Sequence, residues 1–170
     1  VYAADAAPGC NVLQRFNINT GAFQYQSPTM GGFTAQNTPF VGTDGTIYFS
    51  RTQNNAATDA FFAFEDTGTA INIKWSVPAG WTTFSEFAVG QDNSVYMIAP
   101  GSLLRRLDPA TGATLATTAL PIGAAGNLTP RMAVDGAGRV FVNNGQFSTG
   151  RFWSFNADLT SRWDIVVPNA

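Results

Sequence analysis

The feature that most constrains this chain is a repeat. The stretches VGTDGTIYFS (41–50), VGQDNSVYMI (89–98) and AVDGAGRVFV (133–142) share one plan, a tight turn followed by a run of β-formers. Each run is marked by a β-branched residue and an aromatic: Val1-Tyr2, Ile47-Tyr48, Val95-Tyr96 and Val140-Phe141. The aromatic members stand 46, 48 and 45 residues apart. A second marker is a turn ending in glycine, NINTG (17–21), FEDTG (64–68) and DPATG (108–112), whose glycines lie 47 and 44 apart. The last unit carries NADLT (156–160) at that place. Two independent markers on one period of about 45 residues indicate tandem structural units.

Within a unit the pattern predicts four strands. In the second, 39–43 is an apolar lead-in, Asp44-Gly45 turns the chain, and 46–51 alternates Ile47 and Phe49 on one face with Tyr48 and Ser50 on the other. A polar loop at 51–59 leads to AFFAF (60–64), a turn, and AINIKWSV (70–77). Period-2 alternation bounded by Gly, Asp and Asn is the strand and hairpin signal. No segment carries a 3.6-residue period, and the Ala-rich pieces are short and broken by Gly and Pro. Four-stranded units of this length predict β-propeller blades. One such sheet buries neither face alone, whereas radial stacking covers both. That accounts for 14 phenylalanines in a chain with only 12% charged residues.

The residues VDGAGRVFV, TDGTIYF, LLRRLDPATGATL and LQRFNINTGAF resemble the blades of quinoprotein-like (PQQ-like) β-propellers. In that family an Asp-Gly turn and a Val-Tyr strand precede a Leu-Asp-x-x-Thr-Gly turn and the outer strand. The resemblance implies an all-β propeller. It also implies a tryptophan after the Thr-Gly turn, present as Trp75 and as Trp163; Gln24 or Tyr25 and Ala116 occupy the place in the other units. Such blades occur in dehydrogenases, in outer-membrane assembly scaffolds and in secreted proteins, so the fold does not fix the function.

The expected organisation is a single partial propeller domain over 1–170, with blades at about 1–27, 33–78, 81–121 and 128–168. The first blade lacks its inner strand. The leading expectation is a portion of a larger propeller. The alternatives are a half-ring that assembles with another chain or with itself, and an imperfect four-bladed ring. The chain starts at Val1 rather than Met, so upstream sequence is expected. An open arc exposes a blade face and strand edges, which invites association.

Several function classes are excluded or weakened. One lysine, eight scattered arginines and a net charge of −2 do not make a nucleic-acid footprint. There is no histidine, which removes the usual base near neutral pH and the commonest metal ligand. Cys10 is the only cysteine, so no intrachain disulfide forms; APGC (7–10) lacks the apolar run that a lipoprotein cleavage site needs. No apolar run reaches the roughly 20 residues of a membrane helix. A calcium loop of alternating aspartates is absent, and Asp44, Asp92 and Asp135 read as turn-formers. A carboxylate glycosidase needs two acids about 5–10 Å apart, and Glu86 has no evident partner in the sequence.

Aligning the units on those three aspartates puts Thr38, Glu86 and Thr129 in one column, and Phe40, Ala88 and Arg131 in another. Glu86 and Arg131 are then charges on channel-lining strands where the other copies are neutral. With Trp81 in the loop PAGWTTF (78–84) and Asn144 in the amide-rich loop NNGQFSTG (143–150), they form the candidate ligand site at the channel mouth. No catalytic residue, metal-ligand set or cofactor is assigned. The expected function is a non-catalytic extracytoplasmic module, secreted, periplasmic or at the cell surface, binding a protein or carbohydrate. The alternatives are an assembly subunit joined through open blade edges, and part of a quinoprotein-type dehydrogenase, for which the resemblance implies a quinone with calcium.

Overall fold

The computed structural model of the chain describes residues 1–4, 11–30, 38–51, 60–79, 87–120, 131–144 and 150–167. Among them are fifteen strands and no helix, arranged as four antiparallel sheets. The first sheet has three strands, β1 (Tyr2–Ala4), β2 (Leu13–Phe16) and β3 (Phe23–Gln26). The second runs β4 (Phe40–Val41), β5 (Ile47–Arg51), β6 (Ala60–Asp66) and β7 (Ile71–Pro78). The third runs β8 (Phe87–Val89), β9 (Val95–Ala99), β10 (Leu103–Leu107) and β11 (Thr114–Ala119). The fourth runs β12 (Arg131–Val134), β13 (Val140–Asn143), β14 (Gly150–Phe155) and β15 (Ser161–Val167). Each is an up-and-down meander, the form of a propeller blade. Among the described residues only the first lacks the innermost strand that β4, β8 and β12 supply elsewhere. The chain is an all-β partial propeller.

Alternation decides which blade each side chain meets. Ile47 and Phe49 join Leu13, Phe62 and Phe64 in the core between blades one and two. Their neighbour Tyr48 joins Phe61, Trp75, Val95 and Met97 between blades two and three. Tyr96 and Ile98 join Val140, Val142 and Trp153 between blades three and four. The alternation in 46–51 therefore does not separate a buried face from a solvated one. Tyr48 and Ser50 are as buried as Ile47 and Phe49, because a middle blade is covered on both sides. Each fully buried Ile or Phe contributes about 1.5–3 kcal/mol through the apolar surface it withdraws from water.

The turns repeat as closely as the strands. Between the first two strands of blades two, three and four, the backbone closes as Gly42–Thr46, Gly90–Ser94 and Asp135–Arg139. Gly45, Asn93 and Gly138 take the left-handed position in them. This register revises the alignment made on aspartates alone. Asp135 matches Gly42 and Gly90, while Ala137 matches Asp44 and Asp92. Arg131 accordingly moves from the column of Phe40 and Ala88 to that of Thr38 and Glu86. The aspartates still brace their turns. Asp44, Asp92 and Asp135 accept from the N–H two residues on, at 3.0, 3.1 and 3.0 Å.

Every outer strand also carries a bulge at one shared place. The pairs Arg15–Tyr25, Ala63–Trp75, Arg106–Ala116 and Ser154–Trp163 are each followed by a shift in register. The extra residues are Gln24, Lys74, Leu115 and Arg162. A bulge sharpens local twist, and the same one in each blade gives all four outer strands the same bend. It also identifies Tyr25, Trp75, Ala116 and Trp163 as one structural column.

The turn before the outer strand needs a left-handed residue, filled by Gly21, Gly68 and Gly112 in the first three blades and by Leu159 in the fourth, at φ +68°. A left-handed leucine costs about 1–2 kcal/mol. Leu159 is 4% exposed and packs into the core between blades three and four, which offsets that cost. The usual order of substitutions should therefore invert here. Leu159→Ala keeps the strain and loses the packing, so it should cost about 2–4 kcal/mol. Leu159→Gly loses the packing and relieves the strain, and should be about 1 kcal/mol more stable than the alanine variant. Urea denaturation of the two variants checks this.

Candidate functional site

The residues singled out in the sequence are placed unequally. Trp81 and Glu86 lie outside the described residues, as does Cys10. Arg131 opens β12 and is exposed; its N–H donates to Asn143 Oδ1 at 3.1 Å. Its pairing with Asn143, two places from Ala133–Phe141, puts it on the same side of blade four as Phe141. Asn144 is buried, and its side-chain oxygen accepts the Arg151 N–H at 3.0 Å while its own N–H donates to the Arg151 carbonyl at 3.1 Å. That arrangement prolongs the β13–β14 ladder past its last strand pair.

A polar cluster that sequence reasoning missed lies between blades one and two. The Asp66 carboxylate accepts from Tyr2 Oη at 2.6 Å, Tyr25 Oη at 2.7 Å, Arg15 at 2.8 Å and the Gly68 N–H at 2.7 Å. Arg15 also donates to the Tyr25 hydroxyl, and its guanidinium lies 5.3 Å from that ring's centroid. Desolvation pushes the Asp66 carboxyl up. The hydrogen bonds from Tyr2, Tyr25 and Gly68, with the Arg15 charge, outweigh it and hold the group below the usual carboxylate range. Burial, then the hydrogen bond to Asp66 and its charge, pushes Tyr2 up to about 12. Tyr25 is raised by the same causes. The carboxylate's acceptor sites are filled from within, so this cluster is a fastening between blades. Its only sequence signal is Tyr25 standing in the tryptophan column.

The other two joints use the same positions with different chemistry. Trp75 Nε1 donates to the Pro109 carbonyl at 3.0 Å, and its ring lies against Gly112, where an added Cβ would come within 2.9 Å of it. At the next joint Ala116 is too short to reach, and Tyr96 Oη donates instead to the Ala157 carbonyl at 3.1 Å. Pro109 and Ala157 occupy the same place in their turns. Each of these two joints thus ties a side chain of one blade to the outer turn of the next.

At the two ends of the arc the blade faces are partly exposed among the described residues. On blade four Phe141, Phe152 and Trp163 form a ring cluster with centroids 6.3, 6.1 and 5.6 Å apart. They stand at the positions of Tyr48, Phe61 and Trp75 in blade two, whose corresponding separations are 6.1, 6.1 and 5.7 Å. The blade-two cluster is covered by blade three. Trp163 is 36% exposed, Ile165 beside it 50%. On blade one Phe16 and Phe23 pack edge to face at 6.1 Å, and Phe23 is 54% exposed. Among the described residues no three His, Cys, Asp or Glu side chains come together as a metal site.

No protein-family profile and no curated protein matches the sequence. Solved structures do match in fold. BamB from Moraxella catarrhalis superposes with a TM-score of 0.63 at 15% identity, over 96% of this chain and 44% of that one. Quinohemoprotein alcohol dehydrogenase from Comamonas testosteroni superposes with a TM-score of 0.56 at 21% identity, over 76% of this chain and 20% of that one. The chain therefore spans less than half the length of either. At this identity the likeness concerns the fold, and the chain resembles quinoprotein-like propellers at the level of the blade.

The Asp66 fastening sets a pH window. A lowered carboxylate stabilises the fold above the unfolded value of about 4 and loses that stabilisation as pH falls through its folded value. Raised tyrosines stabilise below about pH 10, and Tyr2 loses its contribution between there and about 12. Amide protection in β1–β3, taken relative to the intrinsic exchange rate at each pH, should fall below pH 4 and above pH 10 before it does in β9 and β10. Asp66→Asn should make the acid dependence of that protection shallower.

Proposed function

We propose that the chain is a non-catalytic scaffold module that works outside the cytoplasm by offering propeller-blade faces to a protein partner. The single observation behind this is the partly exposed ring cluster of blade four, which repeats a joint that blade two uses within the chain. A surface of the kind that fastens one blade to the next is suited to fastening something else. Low charge, one lysine and a polar surface of Asn, Thr, Ser and Gln support the extracytoplasmic placement. A second, smaller ligand at the channel mouth, touching Trp81, Glu86 and Arg131, belongs to the same proposal; Asn144, buried and held by Arg151, is withdrawn from it. Arg131 supports it by standing exposed at the start of an innermost strand.

The quinoprotein-type dehydrogenase is the rival reading. The residues present fit it poorly, because a quinone with calcium asks for grouped carboxylates, and among the described residues no three acidic side chains come together. Thermal unfolding with and without pyrroloquinoline quinone and calcium separates the two. A melting temperature unchanged within about 1 °C is expected, whereas saturating binding would raise it by about 5 °C or more. Such a rise would replace the scaffold reading with the cofactor-binding one.

A further inference from the structure

The open face of blade four and the open face of blade one are the two halves of a joint already present inside the chain. The supplying half is Tyr48, Phe61 and Trp75 in blade two, and Phe141, Phe152 and Trp163 reproduce it in blade four. The Tyr48 hydroxyl has no hydrogen-bond partner in the internal joint, so Phe141 in its place lacks nothing that the joint uses. The Trp163 indole N–H has no hydrogen-bond partner among the described residues.

The receiving half is the turn Asp108–Gly112, and blade one repeats it bond for bond. Asp108 N–H donates to the Ala113 carbonyl and Gly112 N–H to the Asp108 carbonyl, both at 2.8 Å; Asn17 to Ala22 and Gly21 to Asn17 do the same at 2.9 Å. Asp108 Oδ1 accepts from Ala110 and Thr111 at 2.7 and 3.0 Å, and Asn17 Oδ1 from Asn19 and Thr20 at 2.9 and 3.1 Å. Thr111 and Thr20 each accept the next-but-one N–H at 3.3 Å. Ile18 thus stands where Pro109 does, and is 79% exposed. Gly21 stands where Gly112 does. A Cβ on Gly112 would strike the Trp75 ring, but one on Gly21 meets nothing within 4 Å. The space that a tryptophan fills at the internal joint is open at the end of the arc.

We propose that a second copy of this chain fills it, with Trp163 of one copy donating to the Ile18 carbonyl of the other and its ring lying over Gly21. The inference rests on the scaffold reading and names its partner. The contact is head-to-tail, and such a contact either closes into a ring or runs on as a filament. Closure is favoured here because the arc superposes on 44% of a single propeller chain. A second arc of equal length completes about one turn, giving a two-fold ring of eight sheets from two copies of four.

Sedimentation equilibrium of the 170-residue chain tests this. The expected mass is about twice 18.1 kDa at tens of micromolar. Trp163→Ala and Gly21→Asn should each weaken self-association at least tenfold. Asparagine tolerates the left-handed backbone, and its Cβ at 21 meets no atom within 4 Å, so Gly21→Asn should keep the circular dichroism and melting temperature of the parent. Gly45→Asn is the matched control, at φ +84° with nothing within 4 Å of its Cβ position; it should associate as the parent does. A mass of 18.1 kDa at every concentration overturns the inference and leaves the face to another occupant, such as a blade of a different chain. Association that survives both Trp163→Ala and Gly21→Asn overturns it too. Neither result bears on the quinone experiment, so the scaffold reading stands or falls separately.

Discussion

Everything in this molecule follows from the inability of a four-stranded sheet to bury itself. Ile47 and Tyr48 are neighbours in sequence, point opposite ways, and are both fully buried. That is possible only when a second sheet lies on either side. The hydrophobic effect is non-directional, so it explains why the sheets stack but leaves their angle and spacing open. Those are set by the outer-strand bulge, common to all four sheets, and by the directed contacts at each joint.

The joints show how one geometric demand tolerates different chemistry. A phenol–carboxylate–guanidinium cluster fastens blades one and two, an indole N–H fastens two and three, and a phenol from a different strand fastens three and four. In each case the receiving group stands in the outer turn of the next blade or, as Asp66 does, at the strand end beside it. Charge-assisted hydrogen bonds such as those at Asp66 are stronger than neutral ones, but they bring a dependence on pH that the indole joint lacks. The place where a blade is held is fixed, and the means of holding it is free to vary.

Much of the fold was legible in the sequence because its cause is periodic. The aromatic pair and the Thr-Gly turn recur on one spacing, and the strands read at 60–64 and 70–77 are found as Ala60–Asp66 and Ile71–Pro78. What stayed hidden was relational. The sequence shows Ala116 as a gap in the tryptophan column, and only coordinates show Tyr96 reaching across from another strand to replace it. Asp66 looks like any turn aspartate until Tyr2 and Tyr25, 64 and 41 residues away, are seen to converge on it. Aligning on Asp135 misplaced the fourth unit by two positions, because an aspartate braces a turn from either of two places and the letter does not say which. Of the candidate site, Arg131 and Asn144 can be located, one on the open side of blade four and one tied into a ladder. Neither job has a signature in composition or spacing.

The outer turn is closed by its own residues. In Asn17–Gly21 and Asp108–Gly112 every bond that shapes the loop begins and ends within the loop or at its next residue. Such a piece keeps its form whatever sits beside it. A gene of this kind can lengthen or shorten by whole units whose outer turns keep their own form, provided that each new seam brings a side chain able to reach the turn it meets. Small propellers and large ones then lie a single recombination event apart, and the number of units becomes a quantity that evolution can count up or down.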